Sequence, residues 1–336
     1  MSPVFKKKLS LPYIVIIATA TAILTFSITH FISSKKEAVL LEKADVNSAC
    51  SYSIKRMDGY KFVKPLMFVD EPCEGDGLMA TKQEINTIIQ NYKTYNGVVS
   101  ASVYLRNYGT NEWMAVNDEE KYEPGSLFKI PILITYLRMN EISPGVLDKE
   151  LVFNQHFAID KNVAFKSKGI EFGKSYKVRE LLRYMIQYSD NNATVLLNNN
   201  MNSDVLLKLF RDLGLEKPEI HSSHYYFTAK QYSLFMRTLY NAAYLSIDDS
   251  EFATELLSKC DFEQGIKIGI PNNVLIAHKF GEAGTPIEMQ LHESAIVYLK
   301  NKPYLLTVMT KGKDNKTLSK LIGEISAVTY KNMLNL

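Results

Sequence analysis

Ser126 and Lys129 are the two residues of this 336-residue chain whose types and spacing most directly suggest covalent catalysis. Residues three apart on a helix share a face, so a helix that begins at Ser126 would bring the lysine amine to the serine hydroxyl. A lysine in that position can take the hydroxyl proton and make the serine a nucleophile. Taken alone, the spacing favours a helix-capping serine beside a surface lysine, so two further motifs decide its interpretation.

Two more motifs follow Ser126 in the chain, Ser189-Asp190-Asn191 and His278-Lys279-Phe280-Gly281. The order S-x-x-K, S-D-N and K-T-G is the signature of class A β-lactamases and penicillin-binding proteins. Over residues 81–336 the chain resembles this serine-hydrolase superfamily, both in its motifs and in the order of its elements. One position departs visibly from the pattern, because Phe280 stands where the family has threonine.

The resemblance implies three catalytic residues. Ser126 would attack an amide or ester and carry the acyl group, with Lys129 as its general base. For that role the lysine must be neutral part of the time, and burial or a neighbouring cation such as Lys279 would lower its pKa. Ser189 would pass a proton between the two lysines and the leaving nitrogen, whereas Asp190 would hold the turn without taking part in the chemistry.

The resemblance also implies a set of substrate-binding groups. Asn191 would face the substrate amide, and Lys279 with Gly281 on the innermost strand would hold a substrate carboxylate. The backbone N–H groups of Ser126 and Glu282 occupy the positions of the family's oxyanion hole, which stabilises the charge that develops during acyl transfer.

Two departures from the family pattern bear on the reaction. Phe280 cannot supply the hydroxyl with which the family binds a carboxylate. The short segment Gly214–Thr228 contains Glu216 and Glu219, and neither is followed by the asparagine that accompanies the deacylating glutamate of class A β-lactamases. We therefore expect a long-lived acyl-enzyme and slow turnover of β-lactams.

The leading interpretation is a serine hydrolase that acylates Ser126 with a β-lactam or a peptidoglycan-like amide. A D,D-peptidase or an esterase with the same nucleophile is the second interpretation, and a non-catalytic cell-envelope binding module that retains the fold is the third. No cofactor, metal or obligate protein partner is expected, since His221 and His224 supply only two candidate metal ligands. The net charge of +3, without a basic stripe interleaved with aromatic residues, gives no sign of nucleic-acid binding.

The order of predicted elements indicates the α/β (α+β) class. A helix over 81–95, opened by a capping box at Thr81–Glu84, precedes two strands and the Ser126 helix. A helical middle follows, and three strands and a closing helix come after Pro271. This order resembles a β-lactamase/transpeptidase fold, in which helices flank a five-stranded antiparallel sheet and an all-helical lobe adjoins it.

The N-terminal part predicts a membrane anchor. Residues 9–32 contain no lysine, arginine, aspartate or glutamate and are long enough to cross a bilayer as a helix. Lysines are denser before this stretch than after it, which favours a cytoplasmic tail at 1–8 and an extracytoplasmic catalytic domain on the cell membrane. A cleaved signal peptide is the alternative. Residues 33–80 would then be a stalk or adapter before the catalytic domain at 81–336.

The three cysteines, Cys50, Cys73 and Cys260, are too few for a disulfide scaffold. In an exported chain Cys50 and Cys73 could pair across a short loop and leave Cys260 free. Three unpaired thiols are an equally good interpretation of the sequence.

Overall fold

The computed structural model describes residues 25, 53–57, 59–70, 73–157, 164–165, 167–218 and 225–336. Residues Ser53–Leu336 form one compact unit. Its strands in the described part are β1 (Ser53–Arg56), β2 (Leu66–Asp70), β3 (Val98–Asn107), β4 (Trp113–Val116), β5 (Glu150–Val152), β6 (Ser175–Lys177), β7 (Ile276–Gly284), β8 (Met289–Val297) and β9 (Tyr304–Gly312). Its α-helices are α1 (Met79–Tyr95), α2 (Lys129–Ile142), α3 (Val178–Gln187), α4 (Asn191–Asn199), α5 (Ser203–Asp212), α6 (Ala229–Tyr240), α7 (Ile247–Ser258) and α8 (Asn315–Asn335).

A five-stranded antiparallel sheet with the strand order β4-β3-β9-β8-β7 lies at the centre of this unit. Successive strand residues point to opposite faces. On β9, Leu306 and Val308 therefore join the core formed with α1 and α8, whereas Leu305 and Met309 join the core formed with the helices of the middle segment. The layered packing buries both faces of the sheet. Strand β7 lies at one end of the strand order, so its outer edge is available to a functional site.

Helix α2 is the central helix of the middle segment. All of its residues from Lys129 to Leu137 are buried, and most of them are apolar. A helix that is apolar on all sides belongs in the interior of a domain. The predicted all-helical lobe was wrong in one detail, because β5 and β6 pair as a small antiparallel sheet between α2 and α3.

The helix predicted over 81–95 is confirmed as α1, but its start differs from the prediction. The helix begins at Met79, and its N-cap residue Leu78 makes no side-chain cap hydrogen bond. The capping box at Thr81–Glu84 was therefore wrong, and Thr81 is buried inside the helix. A short 3-10 turn leads directly into α1, so the chain is already helical before the predicted cap.

The fold class that was predicted from the sequence included a transmembrane helix before the sheet, and this part of the prediction was wrong. Among the residues that the structure describes, no helix combines the length and the apolar composition needed to cross a bilayer. The stretch that prompted the prediction, residues 9–32, lies outside the described residues apart from Thr25. The sheet with its flanking helices is present as expected.

Two features of the N-terminal part of the compact unit complete the fold. Strands β1 and β2, which lie in the predicted stalk, pair as an antiparallel hairpin within the unit that contains the sheet. Cys73 is disulfide-bonded, and Cys260 is buried and free. The interpretation with three unpaired thiols was therefore wrong. Cys50, the partner of Cys73 in the other interpretation, lies outside the described residues.

Candidate active site

Ser126 lies in the 3-10 turn Gly125–Phe128, directly before α2. The sequence suggested that an α-helix would begin at this serine, whereas the helix begins at Lys129. The side chain of Ser126 lines an open cavity. Ser126 therefore lies just before the N-terminus of the buried helix that begins with its predicted base, Lys129.

Two glycines allow the Ser126 turn to lie directly against β7. Gly125 has a φ of +52°, and a Cβ added to it would overlap the carbonyl oxygen of Glu282. A Cβ added to Gly281 would overlap the carbonyl oxygen of Pro124. Because only glycine lacks a Cβ, these two positions permit a contact between backbones that any other residue would separate.

Lys129 joins the Ser126 turn to the opposite side of the cleft. The lysine is 3% exposed, and its Nζ lies 2.6 Å from the carbonyl oxygen of Ser189, 3.0 Å from Ser189 Oγ and 2.8 Å from Asn191 Oδ1. These acceptors engage all three N–H groups of an ammonium. The amine is thus hydrogen-bonded across the cleft, whereas the sequence spacing had suggested a direct contact with Ser126.

Ser189 lies between two lysine amines. Its Oγ accepts a hydrogen bond from Lys129 Nζ at 3.0 Å and another from Lys279 Nζ at 2.9 Å. Its φ of 54° lies in the left-handed region that residues with a side chain seldom adopt. Such a conformation persists only where its surroundings hold it, and the two lysine contacts are part of that support.

Asp190 holds the turn in place, as the sequence analysis expected. Its Oδ1 accepts the backbone N–H of Asn192 at 2.8 Å and so caps α4, while its Oδ2 accepts that of Ile170 at 2.7 Å. The cap makes Asn191 the first residue of α4 and directs its Oδ1 to Lys129. The carboxylate thus fixes the backbone on both sides of the motif.

The pKa values of the two lysines are both lowered, and burial is the main cause for each. The pKa of Lys129 is held well below its ordinary value by burial and, next, by the charge of Lys279. Burial lowers the pKa of Lys279 to about 8. A neutral amine has a lone pair that can accept a proton, so the lowered pKa makes Lys129 a suitable base near neutral pH.

Glu282 lines the same cavity as Ser126, as two residues that share an oxyanion hole must. Its carboxylate is directed at other groups: Oε1 accepts the backbone N–H of Ala164 at 3.0 Å and the side-chain amide of Asn315 at 3.1 Å. Oε2 accepts the backbone N–H of Phe165 at 3.5 Å. These donors hold the negative charge at the β7 end of the cavity.

Phe280, the residue in the place of the family's threonine, is packed into an aromatic cluster. Its ring stacks on Phe262 at a centroid distance of 4.1 Å and meets the edge of Phe165 at 5.8 Å. Lys279 Nζ lies 4.0 Å from the centroid of the Phe280 ring. Phe280 therefore places an apolar ring where the family has a hydroxyl. The Lys279 amine contacts both this ring and the hydroxyl of Ser189.

The cavity at this site has a volume of about 280 Å³ and contains Ser126, Lys129, Ser189 and Asn191 in its lining. Several further residues of the lining were not predicted from the sequence, namely Phe128, Ile132, Phe165 and Thr194. The hydroxyl of Thr194 donates to the Asp190 carbonyl oxygen four residues earlier, a helical spacing that could have indicated it. Phe165 comes from a separate segment and has no such local signal.

Of the two glutamates in the segment Gly214–Thr228, the structure describes only Glu216, which does not line the cavity. Glu216 has an exposed side chain that lies 3.9 Å from Lys121, and Glu219 lies outside the described residues, as do His221 and His224. In the part of the chain that the structure describes, no group of three or more His, Cys, Asp or Glu side chains could hold a metal ion.

Comparisons with known proteins identify the family and the fold. The model of the Beta-lactamase enzyme family matches residues 80–333, and no curated protein matches the chain. The solved structure of a PBP-A mutant, an acyl-enzyme complex with penicillin G, aligns with 18% identity over 77% of this chain and 98% of its own, with a TM-score of 0.64. A β-lactamase from Chitinophaga pinensis aligns with 18% identity over 75% and 98% (TM-score 0.64), and the TLA-1 extended-spectrum β-lactamase with 16% over 77% and 100% (TM-score 0.66).

Proposed function

Because the chain belongs to the β-lactamase enzyme family, we propose that it is a serine hydrolase that forms an acyl-enzyme at Ser126. The observation that carries this proposal is the position of Ser189, whose hydroxyl accepts hydrogen bonds from both buried lysines beside the cavity that Ser126 lines. A serine, a base with a lowered pKa and a hydroxyl that can relay a proton are the parts that acyl transfer requires.

The acylation step begins with a neutral Lys129. The neutral amine keeps two N–H donors for its contacts across the cleft, and its lone pair accepts the hydroxyl proton of Ser126 as the serine oxygen bonds to the carbonyl carbon of the substrate. The bond from that carbon to the leaving nitrogen then breaks, and the nitrogen takes a proton from the Lys129 ammonium through the hydroxyl of Ser189. The proton count is unchanged over the step, and Lys279 stays protonated throughout and polarises Ser189.

The proposed substrate is a β-lactam or a peptidoglycan-like amide, and the acyl-enzyme is proposed to be long-lived. The similar structure of the PBP-A mutant is an acyl-enzyme with penicillin G. Hydrolysis of the acyl-enzyme needs a base that activates water, and a missing general base costs about 10²–10⁴-fold in rate. Among the described residues that line the cavity, the one carboxylate is Glu282, and its oxygens already accept three hydrogen bonds.

Intact mass spectrometry after incubation with a fluorescent penicillin tests the proposal. We expect a mass increase of one acyl group, located at Ser126, that decays slowly after excess reagent is removed. Ser126→Ala should lose the label while circular dichroism stays unchanged, because Ser126 is only partly buried and lines a cavity. Labelling that persists in Ser126→Ala, or a wild-type protein that is never acylated, would refute the proposal.

A further inference from the structure

A second cavity lies beside the first, at the β7 end of the site. It has a volume of about 270 Å³, and Phe165 and Phe280 line both cavities. A substrate group that extends from Ser126 along β7 therefore contacts Phe165 and Phe280 first. In this direction the resemblance to class A β-lactamases had implied a carboxylate-binding site.

The wall between the cavities is aromatic. Phe165, Phe262 and Phe280 form a closed cluster, with Phe165 meeting Phe262 at 4.8 Å and 90° and Phe280 stacked on Phe262 at 4.1 Å. A phenyl ring is apolar and packs well against other apolar groups. Its π face also carries partial negative charge, which attracts cations and disfavours anions.

The fixed charges near this wall are mostly negative. The Glu282 carboxylate is held by two backbone N–H groups and by Asn315, and the second cavity is lined by Asp261 and Glu263. Asp261 accepts a hydrogen bond from the hydroxyl of Ser167. Glu263 forms an ion pair with Lys267, a residue that lines neither cavity. A substrate carboxylate would face these groups, and burying a charge without a partner is unfavourable.

Lys279 is the cation on which a carboxylate would depend, and its amine already has partners. Nζ donates to Ser189 Oγ at 2.9 Å and to the carbonyl oxygen of Phe280 at 3.1 Å, and it lies over the Phe280 ring. Two of the three donors of the ammonium are thus engaged. Lys279 is also fully buried and lines neither cavity, so a carboxylate in either cavity has no direct contact with this amine.

We propose that this end of the site favours substrates without a carboxylate: an uncharged, apolar group on the leaving side of the scissile bond packs against Phe165 and Phe280. Phe280 and Glu282 are the residues that determine this preference. The inference rests on the proposed acylation of Ser126 and ranks its substrates: neutral esters, thioesters or amides acylate Ser126 faster than penicillins or peptidoglycan peptides, whose leaving side carries a carboxylate.

A matched pair of thioesters tests the inference. S-Phenylacetyl thioglycolic acid and its methyl ester share the acyl group and the leaving sulfur and differ only in the carboxylate. During acylation the Ser126 oxygen bonds to the carbonyl carbon, the C–S bond breaks, and the departing thiolate takes the proton held by Lys129. The rate is followed by loss of thioester absorbance, after subtraction of the rate without protein.

We expect the methyl ester to acylate the wild-type protein at least about tenfold faster than the acid, because one hydrogen bond to a charged group contributes a factor of this size. In Phe280→Thr and in Glu282→Gln the ratio should fall at least about threefold, since one variant adds a hydroxyl and the other removes a charge. Glu255→Gln, the same exchange at an exposed helix residue, should leave the ratio unchanged.

Two results would overturn the inference. One is a wild-type protein that uses the acid as fast as the ester or faster. The other is a ratio that stays the same in Glu282→Gln, a variant that keeps the buried aromatic cluster intact even if Phe280→Thr fails to fold. Calorimetry on Ser126→Ala measures how tightly the acid and the ester bind without any acylation. It therefore tests the substrate preference separately from the proposed acylation of Ser126. Tighter binding of the ester supports the specificity even if Ser126 is never acylated, and equal or tighter binding of the acid refutes it.

Discussion

Two buried pairs of ionisable side chains meet on β7 at adjacent residues, and they have opposite characters. Lys279 shares the hydroxyl of Ser189 with Lys129, so two amines whose charged forms repel each other lie at hydrogen-bond distance from one oxygen. Its neighbour His278 contacts Glu293, with Nδ1 2.7 Å from Oε1, and both side chains are no more than 1% exposed. Glu293 also accepts the backbone N–H of Ile266 at 2.6 Å.

The lysine pair bears on the reactivity of the site, whereas the His278–Glu293 pair bears on the stability of the fold. In the His278–Glu293 pair each polar group has a complementary partner, and burial still raises the pKa of Glu293. In the lysine pair the like charges and the burial act in the same direction and lower the pKa of Lys129. A buried group that is destabilised in its charged form is ready to exchange a proton, whereas removal of one member of a complementary buried pair leaves the other unsatisfied and destabilises the fold.

Removal of Lys129 should give the largest effect. Lys129→Met keeps the length of the side chain and deletes the base, so acylation of Ser126 should slow by about 10²–10⁴-fold. The unfolding free energy at pH 7 should fall less than the acylation rate, because removal of a buried amine whose charged form is disfavoured offsets the loss of its hydrogen bonds to Ser189 and Asn191. Acylation by a fluorescent penicillin and urea unfolding measure the two quantities. An unchanged acylation rate would show that Lys129 is only structural.

Disruption of the His278–Glu293 pair should have the reverse pattern. His278→Leu leaves the buried carboxyl group of Glu293 without its hydrogen-bond partner, and such an unsatisfied buried group costs about 1–3 kcal/mol of unfolding free energy. The acylation rate of the folded variant should change by less than about tenfold, the typical size of an indirect effect on one hydrogen bond. A large loss of acylation with unchanged stability would contradict the distinction between the two pairs.

The pH dependence of acylation should report the lysine pair. The rate should rise as Lys129 loses its proton and fall again as Lys279 loses its own near pH 8, the value to which burial lowers its pKa. In Lys279→Met the alkaline fall should vanish. The rising limb should move to higher pH, because loss of the neighbouring charge raises the pKa of Lys129. A profile of the same shape in Lys279→Met would exclude this coupling.

The same pair should also affect stability at alkaline pH. The folded-state pKa of Lys279 lies at about 8, below its ordinary value of 10.5, so the folded state binds fewer protons between these values and stability rises with pH there. In Lys279→Met this part of the rise should be absent. Urea unfolding of both proteins across this pH range measures it, with Lys259→Met, an exchange at an exposed lysine, as the control.

Asp190→Asn should give the smallest effect. Asparagine keeps one oxygen for the cap of α4 and loses the acceptor for Ile170, so the unfolding free energy should fall by about 1 kcal/mol. The charge of Asp190 raises the pKa of Lys129, so its removal should move the rising limb of the pH profile slightly to lower pH. A shift to higher pH would show that the aspartate does not act on Lys129 through its charge.

Much of the fold could be predicted because local patterns determine it. The strands around Val103 and Leu306 and the helix that includes Leu318 and Ile322 follow the alternation and the helical spacing of apolar residues. The start of α1 was placed wrongly, since the preceding 3-10 turn and the burial of Thr81 depend on packing. The hairpins β1–β2 and β5–β6 were missed, because their short strands carry little pattern of their own.

The sequence by itself determined which residues meet at the candidate site, since the order and spacing of the motifs around Ser126, Ser189 and Lys279 identify the family. Only the tertiary structure decided how they meet. It directs Lys129 to Ser189 across the cleft, turns Glu282 toward Asn315, and places Phe280 against Phe165. Such contacts join segments far apart in the chain, and burial and charge between those segments leave no trace in the local spacing of residues.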